Sequence, residues 1–528
     1  MRHYQIMLLI SLMAASLPGT SYAQDTNTLI EATRQLRLKY QNDPHRPAWH
    51  FLGSEGVCFP FDPQGCIYWK GKYHVFYAIQ DKGKGAWGHA SSIDLIHWIH
   101  HPIPLTVNQG DPEEHVFAGG SLINLNGLPT MIYHGVNSGT CIAVAEDDEL
   151  IRWKKSPHNP VIKLPKMGDP NYGKYHVWDT TGWVKDGMYY SISGDHPDKA
   201  PATQGDIAYL FRSTDMVNWT YMHPFYKSNR KWTPEDEDCS CPDFFKLGNK
   251  HVLMFISHTQ GTQYYIGSYK NERFIPESHG KMNWPGGPVF ANDSLVDDKG
   301  RRIMWAWACE TRDRETQIAS GWSGVMTAPR VLTISPQGTM EIKPVEELST
   351  LRRNKRIAKN LVVNDDKTLT LSQISGDCLE LNMEVAVENE SEFHIHVRCS
   401  PDDQESTVIS YDDANGIIRI DTSNSSLSKD IFQPFPYPQA AYFPKEIRQS
   451  KDIRIQEAPF KLNPKETLEL TILLDHSMLE VFANGRQCIT QRVYPSRNDS
   501  TEIRLSTNKF PAKVLSLQAW DMAAANPY

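Results

Sequence analysis

The segment SIDLIHW (Ser92–Trp98) comes back as DELIRW (Asp148–Trp153) and again as STDMVNW (Ser213–Trp219). Each copy follows a strand-like run (WGHASS, CIAVAE, AYLFRS) and leads into a proline-containing turn. The copies lie about 55 to 65 residues apart. A recurrence of this length, in a chain of short aromatic and β-branched runs separated by Gly, Pro, Asn and Asp turns, is the pattern of repeated four-stranded units around an axis, a β-propeller. A solenoid is the competing architecture, but these repeats are longer and less regular than solenoid repeats usually are. Two further units follow without the Trp turn, Asp243 to Glu277 and Arg301 to Leu332, which gives five blades between Trp49 and Leu332.

Outward from the repeats, the expected organisation is a leader at 1–23, an N-terminal segment at 24–45, a propeller at 46–343, a linker at 344–360 and a C-terminal module at 361–528. The first residues, MRHYQIMLLISLMAASLPGTSYAQ, place Arg2 before an apolar run and end in Ser21-Tyr22-Ala23, the form of a secretory signal peptide cut before Gln24. That apolar run is too short for a membrane span, so the expected location is secreted or periplasmic. TLIEATRQLRLKY (Thr28–Tyr40) has the periodicity of a short amphipathic helix. The charged stretch PVEELSTLRRNKRIAK reads as a linker helix or loop. Beyond it CLELNMEVAV, FHIHVRC, GIIRIDT, LELTILLDHSMLEVFANG and EIRLST alternate with turns, as in a β-sandwich. The fold class is therefore all-β.

The 528 residues carry 54 basic and 62 acidic side chains for a formal charge of −8, with 40% hydrophobic and 10% aromatic content. A mildly acidic chain without a basic tract is a poor match to nucleic acid or an anionic membrane surface. Nine cysteines in a secreted chain permit disulfides without fixing a pairing, and Cys239-x-Cys241 lacks a second ligand pair at zinc spacing. No metal and no cofactor are expected.

Carboxylates stand at comparable places in three units: Asp62 in GVCFPFDPQG, Asp179 in HVWDTTGW, and the run Glu235 to Asp238 before CSCPDFF. The first strand of each propeller blade lines the central channel, so these carboxylates converge there. Two carboxyls about 5–5.5 Å apart allow a retaining glycosidase. Asp62 is the nucleophile candidate. The plain alternative for each Asp is a turn residue bonding its own backbone, and for the acidic run a solvated loop. Phe59, Phe61 and Trp178 offer apolar walls for a sugar ring, and an oligo- or polysaccharide is the expected partner. His134, His176 and His258 fall near blade mouths, as candidates to bond sugar or pass a proton.

The chain resembles glycoside hydrolase family 32, the invertase, inulinase and levanase family, over nearly all of its mature length. FDPQG looks like the family's Asn-Asp-Pro-Asn-Gly nucleophile motif, and WGHASSIDLIHWIHHPIPL, WKKSPHNPVI, SCPDFF, RRIMWAWACE, GWSGVMTAPRVL and LDHSMLEVFANG resemble later segments in order. The resemblance implies a five-bladed propeller, a β-sandwich and a metal-free double displacement on β-fructofuranosides. It puts the nucleophile at Asp62 and the transition-state stabiliser at Asp179. It puts the family's acid/base Glu at Ser240, which cannot protonate a leaving group at neutral pH. The neighbours Glu237 and Asp238 are the substitute acids, Glu237 preferred for its longer arm. The family's Arg, Pro, Asn and Gln positions hold Trp178, Thr180, Phe61 and Ala78, and its Phe-Ser-Gly-Ser motif is Phe117-Ala118-Gly119-Gly120. The expected sugar-contacting set is Phe59, Phe61, Gln64, Trp87, Phe117, Trp178, His176 and Ser240. Each lost buried polar partner is worth about 1–3 kcal/mol. A glycosidase for another furanoside and a non-catalytic carbohydrate-binding relative therefore remain as alternatives.

Overall fold

A computed structural model describes residues 21–196, 205–235, 237–365, 367–435 and 451–526. The chain divides into a unit ending at Pro44 and a unit from His45 onward. The first contains a helix, α1, at Ser21–Asn42, longer at both ends than the amphipathic stretch. The expected leader lies outside the described residues except for Ser21 to Ala23, which begin α1.

From Pro63 to Pro344 the described chain forms five antiparallel sheets in sequence order. Four have four strands, and the second gains a fifth short strand, Ile162–Lys163, paired with Gly139–Ala145. The innermost strands are Pro63–Trp69, Val116–Ile123, Thr180–Lys185, Ser240–Leu247 and Val289–Val296. Each packs against the next, and the fifth packs back against the first, so the ring closes. This is a five-bladed propeller, with its repeats in successive sheets.

The repeated segment ending in Trp is the corner between the third and fourth strands of blades one to three, with Asp-x-x-x-Trp in blades one and three and, in blade two, Glu149 at that place and Asp147 two residues before it. An Asp carboxylate accepts backbone N–H groups at each corner: Asp94 from Ile96 and His97, Asp147 from Ile151 and Arg152, Asp215 from Val217 and Asn218. Leu95, Leu150 and Met216 follow in left-handed backbone, φ 68°, 58° and 62°, and each buries its side chain. Blade four makes the same connection through Asn271-Glu272, both with positive φ, the geometry of a two-residue hairpin turn. The motif is absent there because a tighter turn replaces it.

After Pro344 come a 3-10 turn, Glu346–Leu351, and the strand Arg352–Val363. The stretch expected as a linker is thus half strand. Its alternating charged and apolar residues suit a sheet edge, where Ile357 and Val362 stay exposed. Two six-stranded sheets enclose one apolar core and form the sandwich. All nine cysteines are unpaired thiols.

Buried ion networks tie the sandwich to the propeller. Asp475 accepts the backbone N–H groups of Ala48, Trp49 and His50 at 2.6–3.0 Å and faces His50 Nδ1 at 2.8 Å. Glu480 receives Arg330 at 2.9 Å and stands 3.1 Å from His50 Nε2. Glu310 receives Arg492 and Arg312, and Tyr494 donates to it.

Candidate active site

The inner strands start irregularly at the channel mouth. Register shifts interrupt blades one, two, four and five between Gln64 and Ile67, Val116 and Gly119, Ser240 and Asp243, and Phe290 and Asn292. Asp179, Cys241 and Ala291 have φ of 40°, 43° and 49°. Bulges and left-handed residues of this kind turn side chains out of the ladder and gather at functional sites. Here they surround a cavity of about 300 Å³.

Asp62 and Asp179, from blades one and three, both line this cavity. Burial pushes the Asp62 carboxyl up to about 7, the Asp179 charge pushes the same way, and His258 opposes both. Among the described residues its Oδ1 has no hydrogen-bond partner. Asp179 is also buried, yet its carboxyl lies below the usual range. His134, 3.5 Å from Oδ1, and Cys241, whose backbone N–H donates to Oδ2 at 3.0 Å, outweigh burial. The two carboxylates therefore differ in kind: Asp179 is a fixed anion, and Asp62 ionises near neutrality.

Of the expected sugar-contacting residues, Phe59, Gln64, Phe117 and Trp178 line the cavity, with Phe117 38% exposed. Phe61 and Trp87 do not: both are 0% exposed. Phe61 stacks on Phe51 and leans on Tyr77 in the core. Trp87 sits beneath the wall and donates from Nε1 to the Phe117 carbonyl. His176 lies behind Trp178, 3.3 Å from Asp195.

The acidic run does not act as one patch. Glu237 is 0% exposed, does not line the cavity, and accepts from Gln263 Nε2 at 2.9 Å. Burial pushes it up to about 7. Its longer arm points into packed protein, which corrects the preference for it as the acid facing the sugar. Asp238 is buried too. Its Oδ2 accepts Ser240 Oγ at 2.6 Å and faces His258 Nδ1 at 2.8 Å, while its Oδ1 accepts the His258 backbone N–H. Ser240 in turn accepts Trp178 Nε1–H at 2.8 Å. Neither Asp238 nor Ser240 lines the cavity; His258 does.

The ladder explains this pairing. Ser240 pairs with Ile256 in antiparallel register, and two steps further along that register Asp238 stands opposite His258. Burial lowers the His258 imidazole, but Asp238 first, then Asp179 and Asp62, raise it above its ordinary value. Ring contacts to His196 at 4.7 Å and Phe290 at 5.5 Å fix its plane. Ligand atoms of His196, Asp238 and His258 also come within 4.8 Å of one another. With both carboxylate oxygens of Asp238 accepting hydrogen bonds, the group reads as a hydrogen-bonded relay. His196 carries no local sequence signal beyond its position after the third blade's second strand.

Two family models cover the chain: the glycosyl hydrolases family 32 N-terminal domain over residues 57–344 and the family 32 C-terminal domain over residues 347–521. Among curated proteins, fructan 6-exohydrolase of Beta vulgaris is 28% identical, the match covering 92% of this chain and 88% of the relative. The insoluble β-fructofuranosidase isoenzyme CWINV3 of Arabidopsis thaliana is 27% identical over 92% of this chain and 90% of its own. The crystal structure of fructan 1-exohydrolase IIa from Cichorium intybus superposes with a TM-score of 0.78 at 23% identity, covering 92% of this chain and 98% of that one.

Proposed function

The chain belongs to glycoside hydrolase family 32 and is a glycosidase acting on O-glycosyl compounds, and from that premise we propose that it hydrolyses β-fructofuranosidic bonds of oligo- or polysaccharides by double displacement, outside the cytoplasm. The observation that carries this reading is the pairing of Asp62 with Asp179 on one cavity, one carboxyl titrating near 7 and the other held as an anion.

In this mechanism Asp62 attacks the anomeric carbon and forms a fructosyl ester, which water then opens. Asp179 bonds sugar hydroxyls as charge develops on the ring. A carboxylate with an unbonded oxygen in an apolar pocket is a stronger nucleophile than a solvated one. Phe59, Phe117 and Trp178 form the apolar walls, and Gln64 supplies a polar edge. The curated relatives act, by name, on fructans or β-fructofuranosides, and the leader-like first residues support export.

A binding-only relative is favoured by one observation, Ser240 at the position of the family's acid. A panel of sucrose, inulin-type and levan-type oligosaccharides and arabinofuranosides, with product analysis beside calorimetry, separates the readings. Fructose release by the wild type and none by Asp62→Asn supports the proposal. Binding without product, or release of a different sugar, contradicts it.

A further inference from the structure

Among the described residues the carboxylates lining the cavity are Asp62 and Asp179, and Ser240, Glu237 and Asp238 do not line it. Resting on the glycosidase reading above, we propose that His258, positioned by Asp238, is the acid/base of this site. The imidazolium of His258 gives its Nε2 proton to the glycosidic oxygen. As the bond between the anomeric carbon and that oxygen breaks, Asp62 bonds to the carbon, and the sugar leaves as a neutral alcohol. In the second half the neutral imidazole takes a proton from water, the hydroxyl adds to the anomeric carbon, and the electron pair of the ester bond returns to Asp62. Each turnover consumes one water and leaves both side chains as they began.

Three observations carry this. The ladder between Ser240–Leu247 and Lys250–Ser257 brings Asp238 and His258 together at the mouth of blade four, the same blade end that carries the family's acid. Asp238 grips His258 at two points, Nδ1 and the backbone N–H, both at 2.8 Å. A carboxylate on Nδ1 fixes the tautomer and leaves Nε2 to exchange the proton, the arrangement used wherever His works as acid and base. His258 also lines the cavity that contains Asp62.

Among the described residues, the charged and titratable groups facing His258 include Asp238 from its own blade, Asp62 from blade one, Asp179 from blade three, and His196, which follows the second strand of blade three. Cys241 lies on the same wall. Three carboxylates around one imidazole favour the cation and so keep a proton available near neutrality. Ser240 has a different task here: its hydroxyl bridges Asp238 to Trp178.

Leaving-group dependence tests the assignment. His258→Ala and His258→Gln are assayed on a fructo-oligosaccharide, whose sugar alcohol needs a proton, and on a nitrophenyl β-fructofuranoside, whose phenolate does not. The expected result is a loss of about 10²–10⁴-fold in kcat/KM on the oligosaccharide. On the aryl glycoside kcat/KM stays close to wild type, and azide accelerates its turnover. Asp238→Asn, as a change to a positioning residue, moves the basic limb of the pH profile to lower pH without abolishing turnover of the aryl glycoside. Equal losses on both substrates in a variant that melts like the wild type, or unchanged oligosaccharide hydrolysis, overturns the proposal. So does activity that EDTA removes and zinc restores, which assigns His196, Asp238 and His258 to a metal instead. Asp62→Asn silences both substrates whichever way this falls; if it does not, the nucleophile assignment fails first.

Discussion

His258 Nδ1 lies 2.8 Å from Asp238 Oδ2, and Ser240 Oγ donates to the same oxygen at 2.6 Å. One buried carboxylate thus serves a histidine on the cavity and the serine at the family's acid position. In the proposed mechanism the proton donor comes from the residue just after the adjoining strand, Lys250–Ser257.

The pH profile of kcat/KM should be bell-shaped. Asp62 must be ionised to attack, and burial with Asp179 nearby raises its carboxyl to about 7, so activity falls as pH drops through about 7. His258 must be protonated, and its raised value sets the limb above. A plateau extending down to pH about 5, where an ordinary carboxylate is still ionised, would contradict the Asp62 assignment.

Ser240→Ala should leave hydrolysis within about tenfold of wild type. The change strands the Trp178 indole N–H and removes one bond to Asp238, a loss of about 1–3 kcal/mol that appears mainly as a lower melting temperature. A collapse of activity with unchanged stability would instead give Ser240 a direct part in the chemistry.

Phe117 is exposed on the cavity wall. Phe117→Ala should raise KM about tenfold with kcat nearly unchanged, equivalent to about 1.4 kcal/mol of apolar contact made equally in ground and transition states. The same truncation at Phe61 or Trp87 should disturb folding instead, because both are core residues. Steady-state kinetics beside thermal melting distinguishes the two outcomes.

Asp475→Ala should destabilise the fold by about 3–5 kcal/mol, since it strands three backbone N–H groups and the His50 ring. The pH dependence follows in sign. Burial raises Asp475, but His50 outweighs it and holds the carboxyl near 2; its contribution is present above the unfolded value near 3.9 and is lost as pH falls through about 2. Burial lowers His50, but Asp475 and Glu480 raise it overall; its contribution is complete below about 6.5 and is lost as pH rises through the raised value. Denaturant midpoints of wild type and variant across pH check both signs.

The blades were legible because their corners reuse one device, an Asp carboxylate on successive N–H groups followed by a left-handed residue, and the device leaves a sequence trace in three blades. Asp62 and Asp179 were legible because each immediately precedes an inner strand. Side-chain direction was less so. Phe61 adjoins Asp62, and Glu237 adjoins Asp238, yet neighbours in extended chain face opposite ways, and bulges at the inner strands shift the alternation again. His258 lies twenty residues from its carboxylate in sequence, and only the hairpin register brings the pair together. The edge strand Arg352–Val363 read as a linker because an exposed edge carries the composition of a loop.

The most direct measurement is intact-protein and peptide mass spectrometry of enzyme quenched during turnover of the nitrophenyl β-fructofuranoside. A single fructosyl unit is expected on the peptide carrying Asp62, and none in Asp62→Asn. Turnover with no adduct under conditions where the ester should accumulate, or a fructosyl unit on another residue, would contradict the nucleophile assignment.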